Sequence, residues 1–215
     1  MHRFLAAAGI LLALLIPARA AGLAFDDFRQ GDLIFQETNG RQSIAVKAAA
    51  GSPYTHMGIV RITGGGPVVI EAGRTVTETE IEAFVARGKD GRFSVYRMGS
   101  LSEAKAHEVI EAAYKDMGKP YDLYFRLDDD AIYCSELPFR AFKAAGVPIG
   151  TVEKVGDLRI NVASAIALID RRWQRHPDCQ GLSREGCMKR LTDQDIVTPV
   201  SIARDAQLTR IYSNF

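Results

Sequence analysis

A thiol, an imidazole and a carboxylate together suffice for nucleophilic attack on a carbonyl, and Cys134, His56 and Glu71 offer that set in this chain of 215 residues. A cysteine attacks only as its thiolate, so an ordinary thiol pKa of about 8.5 has to be lowered near neutral pH. Cys134 opens the apolar run CSELPFRAF, where a helix N-terminus would favour negative charge. Of the four histidines, His2 lies in the leader-like start, His107 within a helical pattern and His176 beside a cysteine-containing loop. His56, at the head of a β-rich run, is the candidate base. Glu71, on the next such run, is the candidate that orients the imidazole.

These side chains need particular elements to hold them. THMGIVRI and PVVIEA flank Thr63-Gly64-Gly65-Gly66, which reads as a hairpin. If Ile62 pairs with Pro67, Glu71 opposes Gly58 and shares a face with His56, one diagonal step away. A slip of one residue would put them on opposite faces. GDLIFQE and FSVYRM read as further strands, SIAVKAAAG as a helix, and TETEIEAFVARG as a short helix. In the second half, Ala106, Val109, Ile110, Ala113 and Met117 recur at helical spacing, with Ser102 as N-cap and Gly118 as stop. A helix from Ser135 to Ala145 keeps Pro138 in its first turn, where a missing N–H costs little. Another helical stretch covers NVASAIALIDRRWQRH, and the tail closes with a strand.

Composition bounds the reading. Hydrophobic residues make up 47% and charged residues 25%, which excludes a disordered, collagen-like or multi-pass membrane chain. With 27 Lys and Arg against 26 Asp and Glu, no basic footprint for nucleic acid exists. His2 and Arg3 precede an apolar stretch over residues 4–16 and then Ala18-Arg19-Ala20, which reads as a signal peptide cut after Ala20. The stretch is shorter than the roughly 20 residues a membrane span needs. The expectation is a leader over 1–20, a single domain over 21–215 with no integral membrane span, and a periplasmic or secreted location.

Three cysteines remain in the mature chain. Cys179 and Cys187 flank a short polar loop, so a disulfide is expected there in an oxidising compartment, worth roughly 2 to 3 kcal/mol by loop entropy. Zinc on these two with His176 is the rival, but it lacks an evident fourth ligand. Cys134 is then the free thiol. Asp128-Asp129-Asp130 lacks the pattern of a calcium loop and reads as a solvated turn, so no metal and no cofactor is expected.

GDLIF, THMGIV, VVIEAG, GKPYD and IYCSEL, in that order, resemble the permuted papain-like amidases of the YiiX and YaeF type, relatives of the NlpC-type cell-wall peptidases. In the unpermuted relatives a Cys-bearing CSGL-like helix comes first; here it follows the strands. The resemblance runs from Gly31 to Phe142 and more faintly into VTPVSIA. It implies an α+β, circularly permuted papain-like fold, a central antiparallel sheet packed against helices. It implies Cys134 as nucleophile, His56 as base and then acid, Glu71 as orienting carboxylate, and Tyr121 of GKPYD as an oxyanion donor beside the Cys134 N–H. Two departures concern substrate: Tyr133 stands where the peptidases have Asp, and Glu136 replaces the Gly of CSGL.

The expected activity is hydrolysis of an amide or ester through an acyl-enzyme, on a cell-wall peptide or a lipid-derived substrate. An acyltransferase with the same triad and a non-catalytic envelope binding protein remain as alternatives.

Overall fold

The strand-forming runs carry apolar residues on both sides, so their sheet has to be covered twice, and it is. A computed structural model describes residues 27–128 and 130–215; the expected leader (1–20), the first residues of the expected domain and Asp129 lie outside these. The order is β1 (Leu33–Thr38), α1 (Arg41–Ala50), β2 (His56–Thr63), β3 (Gly66–Ala72), β4 (Val76–Glu80), α2 (Ile81–Arg87), β5 (Gly88–Met98), α3 (Glu103–Tyr114) and α4 (Glu136–Ala144). There follow β6 (Glu153–Lys154), α5 (Ala163–Arg172), α6 (Arg184–Thr192), β7 (Asp195–Ile196), α7 (Pro199–Ala203) and β8 (Leu208–Ser213). Six strands form one antiparallel sheet in the order β4-β3-β2-β1-β5-β8.

Strand alternation sorts the core. Leu33, Phe35, Met57, Ile59 and Ile70 pack with Val109 and Ile110 of α3 and with Leu137, Ala141 and Phe142 of α4. Their neighbours Ile34, Val60, Val69 and Val95 join Ile81 and Phe84 of α2 in a second cluster. Each such side chain, fully buried, is worth about 1.5 to 3 kcal/mol. α4 is thereby fixed against the sheet, and the residues just before it are carried to the head of β2, an interior strand.

The hairpin takes the register that puts Glu71 on the face of His56: Ile62 pairs with Pro67 and Thr63 with Gly66, leaving Gly64-Gly65 as a two-residue turn. Thr63 Oγ1 braces the turn, donating to Gly66 O and accepting from Gly65 N–H. Ser102 caps α3 by accepting from Lys105 N–H. That helix stops at Tyr114, and turns lead on to Gly118, whose φ of 82° suits glycine.

Three segments differ from expectation. TETE joins the sheet as β4 rather than opening a helix, because its alternation of Thr and Glu suits an edge strand on β3; helix begins only at Ile81, where Ile81 and Phe84 can be buried. The cysteine loop contains α6, and the tail forms α7 before β8 pairs with β5. The Cys179–Cys187 disulfide is formed, and its sulfurs are buried with Leu191 under Ile169 and Trp173. Among the described residues no helix is long and apolar enough to cross a membrane.

Candidate active site

The hairpin register decides the first half of the site. With Ile59 opposite Ile70, Gly58 faces Glu71, and a Cβ on Gly58 would fall 2.4 Å from a Val69 methyl and 2.7 Å from Ile70 O. Only glycine fits there, and the bare position lets the Glu71 side chain reach diagonally to His56. His56 Nε2 lies 2.5 Å from Glu71 Oε2. The other carboxylate oxygen accepts from Thr79 Oγ1 of β4 and from the Arg87 guanidinium of α2. Phe84 stacks on the imidazole with centroids 5.6 Å apart.

Glu71 has no exposed side-chain surface. Burial alone would raise its pKa, but the His56 hydrogen bond and charge, the Thr79 hydroxyl and Arg87 outweigh burial and hold it at about 2. Burial would likewise lower His56, yet the hydrogen bonds to Cys134 and Glu71 raise it to about 9. Since Glu71 occupies Nε2, Nδ1 is the ring nitrogen left for the thiol.

Cys134 supplies the other half. It sits one residue ahead of Ser135, the N-cap of α4, whose hydroxyl donates to Val197 O instead of capping the helix. Its thiol is buried and unpaired in any disulfide, 4.0 Å from the Thr55 carbonyl at the head of β2. Burial works against a thiolate here, but the hydrogen bond and charge of His56, with Tyr121 and Ser135, outweigh it and lower the pKa.

Tyr121 is brought in by a short parallel bridge to Ile132, two residues before Cys134. Its hydroxyl lies 3.9 Å from Cys134 Sγ. The direction of that hydroxyl is fixed from outside. Arg172, a pure donor, gives a 2.8 Å hydrogen bond to Gln42 Oε1, so the Gln42 amide NH2 must point at Tyr121, 3.1 Å away. With Gln42 donating to its oxygen, the Tyr121 proton is free to turn toward the sulfur. Burial and the nearby Cys134 charge keep that proton on, pushing the Tyr121 pKa well above its usual value.

The same sequence segments that build this site match a known family. Residues 27–212 fit the family described as "Permuted papain-like amidase enzyme, YaeF/YiiX, C92 family". The chain belongs to this permuted papain-like amidase family. YiiX of Escherichia coli K12 is 31% identical over 148 residues, covering 68% of this chain and 73% of that protein. A crystal structure of the metalloprotein YiiX from Escherichia coli O157:H7 superposes with a TM-score of 0.77 at 27% identity, over 87% of this chain and 98% of that one. Membership supports a cysteine-type amidase or peptidase in general terms. As to a metal, no group of three or more His, Cys, Asp or Glu side chains is arranged to hold one among the described residues, and no step below runs through one.

The residues singled out from sequence, Cys134, His56, Glu71 and Tyr121, thus meet in one place, while Cys179 and Cys187 form the disulfide away from the thiol. Arg87, Thr79, Gln42 and Arg172 were not foreseen. Arg87 and Thr79 lie on α2 and β4, a segment the sequence reads as one short helix; Gln42 and Arg172 lie on α1 and α5, 130 positions apart, and only tertiary packing unites them. The two departures from the peptidase pattern are structural in their contacts. Tyr133 is buried and its hydroxyl accepts from Val197 N–H at 2.9 Å. Glu136 is buried beneath Arg140.

Proposed function

We propose that the protein hydrolyses an amide or ester bond through an acyl-enzyme on Cys134. The observation that carries this reading is a single imidazole, His56, bridging a buried carboxylate and a buried thiol. With His56 raised and Cys134 lowered, the resting pair is imidazolium and thiolate. Sγ attacks the carbonyl carbon, and the carbonyl π pair moves to oxygen. Tyr121 O–H and the Cys134 N–H are the donors for that oxyanion, each typically worth about 2.7 to 4 kcal/mol when fixed in advance. The bond from carbon to nitrogen or oxygen breaks as His56 passes its proton to the leaving group. Neutral His56 then takes a proton from water, which attacks the thioester and releases the acid and the thiolate. Glu71 keeps the imidazole aligned and stabilises its charge throughout. No cofactor enters this sequence.

The buried disulfide and the leader-like start support an exported, oxidising location for a single mature domain. Alkylation of Cys134 across pH, followed by mass spectrometry on intact protein and peptides, tests the catalytic reading. Rapid alkylation persisting well below pH 8, confined to Cys134 and abolished in His56→Ala, is expected. A rate that follows an ordinary thiol and ignores His56 would leave a binding protein on this scaffold.

A further inference from the structure

Tyr121 opens a loop whose two ends are held by different parts of the chain. At the near end, Tyr121 N–H donates to Arg74 O and Asp122 N–H to Ile132 O, which ties the loop to its neighbours in the first two thirds of the sequence. From Leu123 to Arg126, every residue is held by chain beyond residue 170. Arg172 donates to Leu123 O, Gln194 Nε2 donates to both Tyr124 O at 2.9 Å and Phe125 O at 2.8 Å, and Arg126 pairs with Asp178. The buried Asp122 carboxylate gathers the turn by accepting from Tyr124 N–H and Arg126 N–H, so it moves as one piece. The turn also needs holding. Phe125 stands at φ 56°, in the left-handed region that an aromatic residue seldom enters, and such a backbone persists only where its surroundings fix it. Gln194 grips the carbonyl on each side of it.

Gln194 is itself oriented. His176 Nδ1 accepts from Asp178 N–H at 3.2 Å, so the neutral ring carries its proton on Nε2. That Nε2 and Gln194 Oε1 are buried donor and acceptor, neither with a hydrogen-bond partner among the described residues, and they are near enough to influence each other. The His176 ring also packs edge-on to Tyr124, with centroids 4.9 Å apart. The Cys179–Cys187 disulfide joins the turn that carries His176 to α6, the helix that leads to Gln194.

The turn reaches the active site through Arg172 and Gln42. Arg172 gives one N–H to Leu123 O and another to Gln42 Oε1, and Gln42 donates to the Tyr121 hydroxyl and so sets its direction. Displacing Leu123 therefore displaces the group that turns the Tyr121 proton toward Cys134.

Resting on the acyl-enzyme reading above, we propose that Gln194 is a positioning residue for Tyr121. By holding Tyr124 O and Phe125 O it keeps the 121–126 loop, and with it Arg172 and Gln42, in the arrangement that aims the Tyr121 hydroxyl at the oxyanion. It acts through the loop and not on the reacting atoms.

Two rates, each followed by mass spectrometry on Cys134, separate this role from a merely structural one. Acylation by p-nitrophenyl acetate develops an oxyanion, whereas alkylation by iodoacetamide is a displacement that develops none. Gln194→Ala is expected to slow acylation about tenfold and to leave alkylation within about twofold. Tyr121→Phe is expected to slow acylation about a hundredfold, and adding Gln194→Ala to it should change the rate by less than about twofold, because the residue it positions has lost its donor. Gln194→Leu, which fills the space without N–H donors, repeats the measurement should alanine loosen the fold. Equal losses in both rates, losses that multiply in the double variant, or an acylation rate that neither Gln194 variant alters overturn the proposal and leave the thiol chemistry standing. If wild-type Cys134 is never acylated, the acyl-enzyme reading fails instead, and hydrogen exchange over residues 121–126 judges the positioning. Faster exchange in Gln194→Leu upholds the hold on Tyr121, and unchanged exchange overturns it.

Discussion

Two glutamates, Glu71 and Glu136, share nearly every coarse property and end in opposite charge states. Neither exposes its side chain, and each has an arginine partner. Glu71 is held at about 2, while burial pushes Glu136 up to about 8. Burial disfavours the anion in both; the donors differ. Glu71 receives His56, Thr79 and Arg87 on its two oxygens. Glu136 has one backbone N–H, from Tyr133 at 3.3 Å, and Arg140 at 3.3 Å, and it feels the unfavourable charge of Asp122. Desolvation of a carboxylate is therefore no guide to its ionisation until its donors are counted. The proposed mechanism needs an anion beside its imidazolium, and that is where the carboxylate pKa is held down; on the α4 side of the core it is pushed up instead.

The sharpest way to break this contrast is Glu71→Gln, which removes the charge that sustains the imidazolium. Cys134 alkylation at pH 6 should fall on the order of a hundredfold, measured as the second-order rate with iodoacetamide. The stability signs should also oppose each other. Glu71 has a folded pKa below its unfolded value of 4.5, so its contribution is present above pH 4.5 and lost as pH falls toward 2. Glu136 has a folded pKa above 4.5, so its contribution is present below pH 4.5 and lost as pH rises through about 8. In thermal melts, Glu136→Gln should gain on the wild type by several degrees between pH 5 and pH 8, with little change in alkylation. A melting difference that stays constant over that range would put the two carboxylates on the same footing. The smallest expected effect is that of Arg87→Gln. Its side chain is half exposed, so losing it should slow alkylation by no more than about fivefold.

Legibility in sequence followed the range of the interaction. The hairpin was readable from its glycine-rich connection and flanking β-rich runs, but its register, and so the closeness of His56 and Glu71, stayed conditional on a loop of even length until strand pairing left Gly64-Gly65 as a two-residue turn. The Ser102 cap and the cysteine pairing were similarly local. β4 was not readable, because its Thr and Glu residues carry no apolar alternation and only pairing with β3 makes them a strand. α6 was hidden for a related reason: REGCMKRLT buries just Cys187 and Leu191. At the site, residue types with intrinsic chemistry stood out, while Gln42, Arg87 and Arg172 act by holding another residue. Nothing in their neighbouring sequence records whom they hold.

The place of Cys134 late in the chain bears on synthesis. A protein made from its N-terminus can complete the hairpin with His56 and Glu71 before the proposed nucleophile, Cys134, has been translated. Residue 134 then emerges as an ordinary thiol and stays one until α4 settles against the sheet and brings it to the waiting imidazole. On the proposed mechanism, reactivity is acquired through docking rather than through the residue itself, so a chain whose α4 has not docked carries an ordinary thiol.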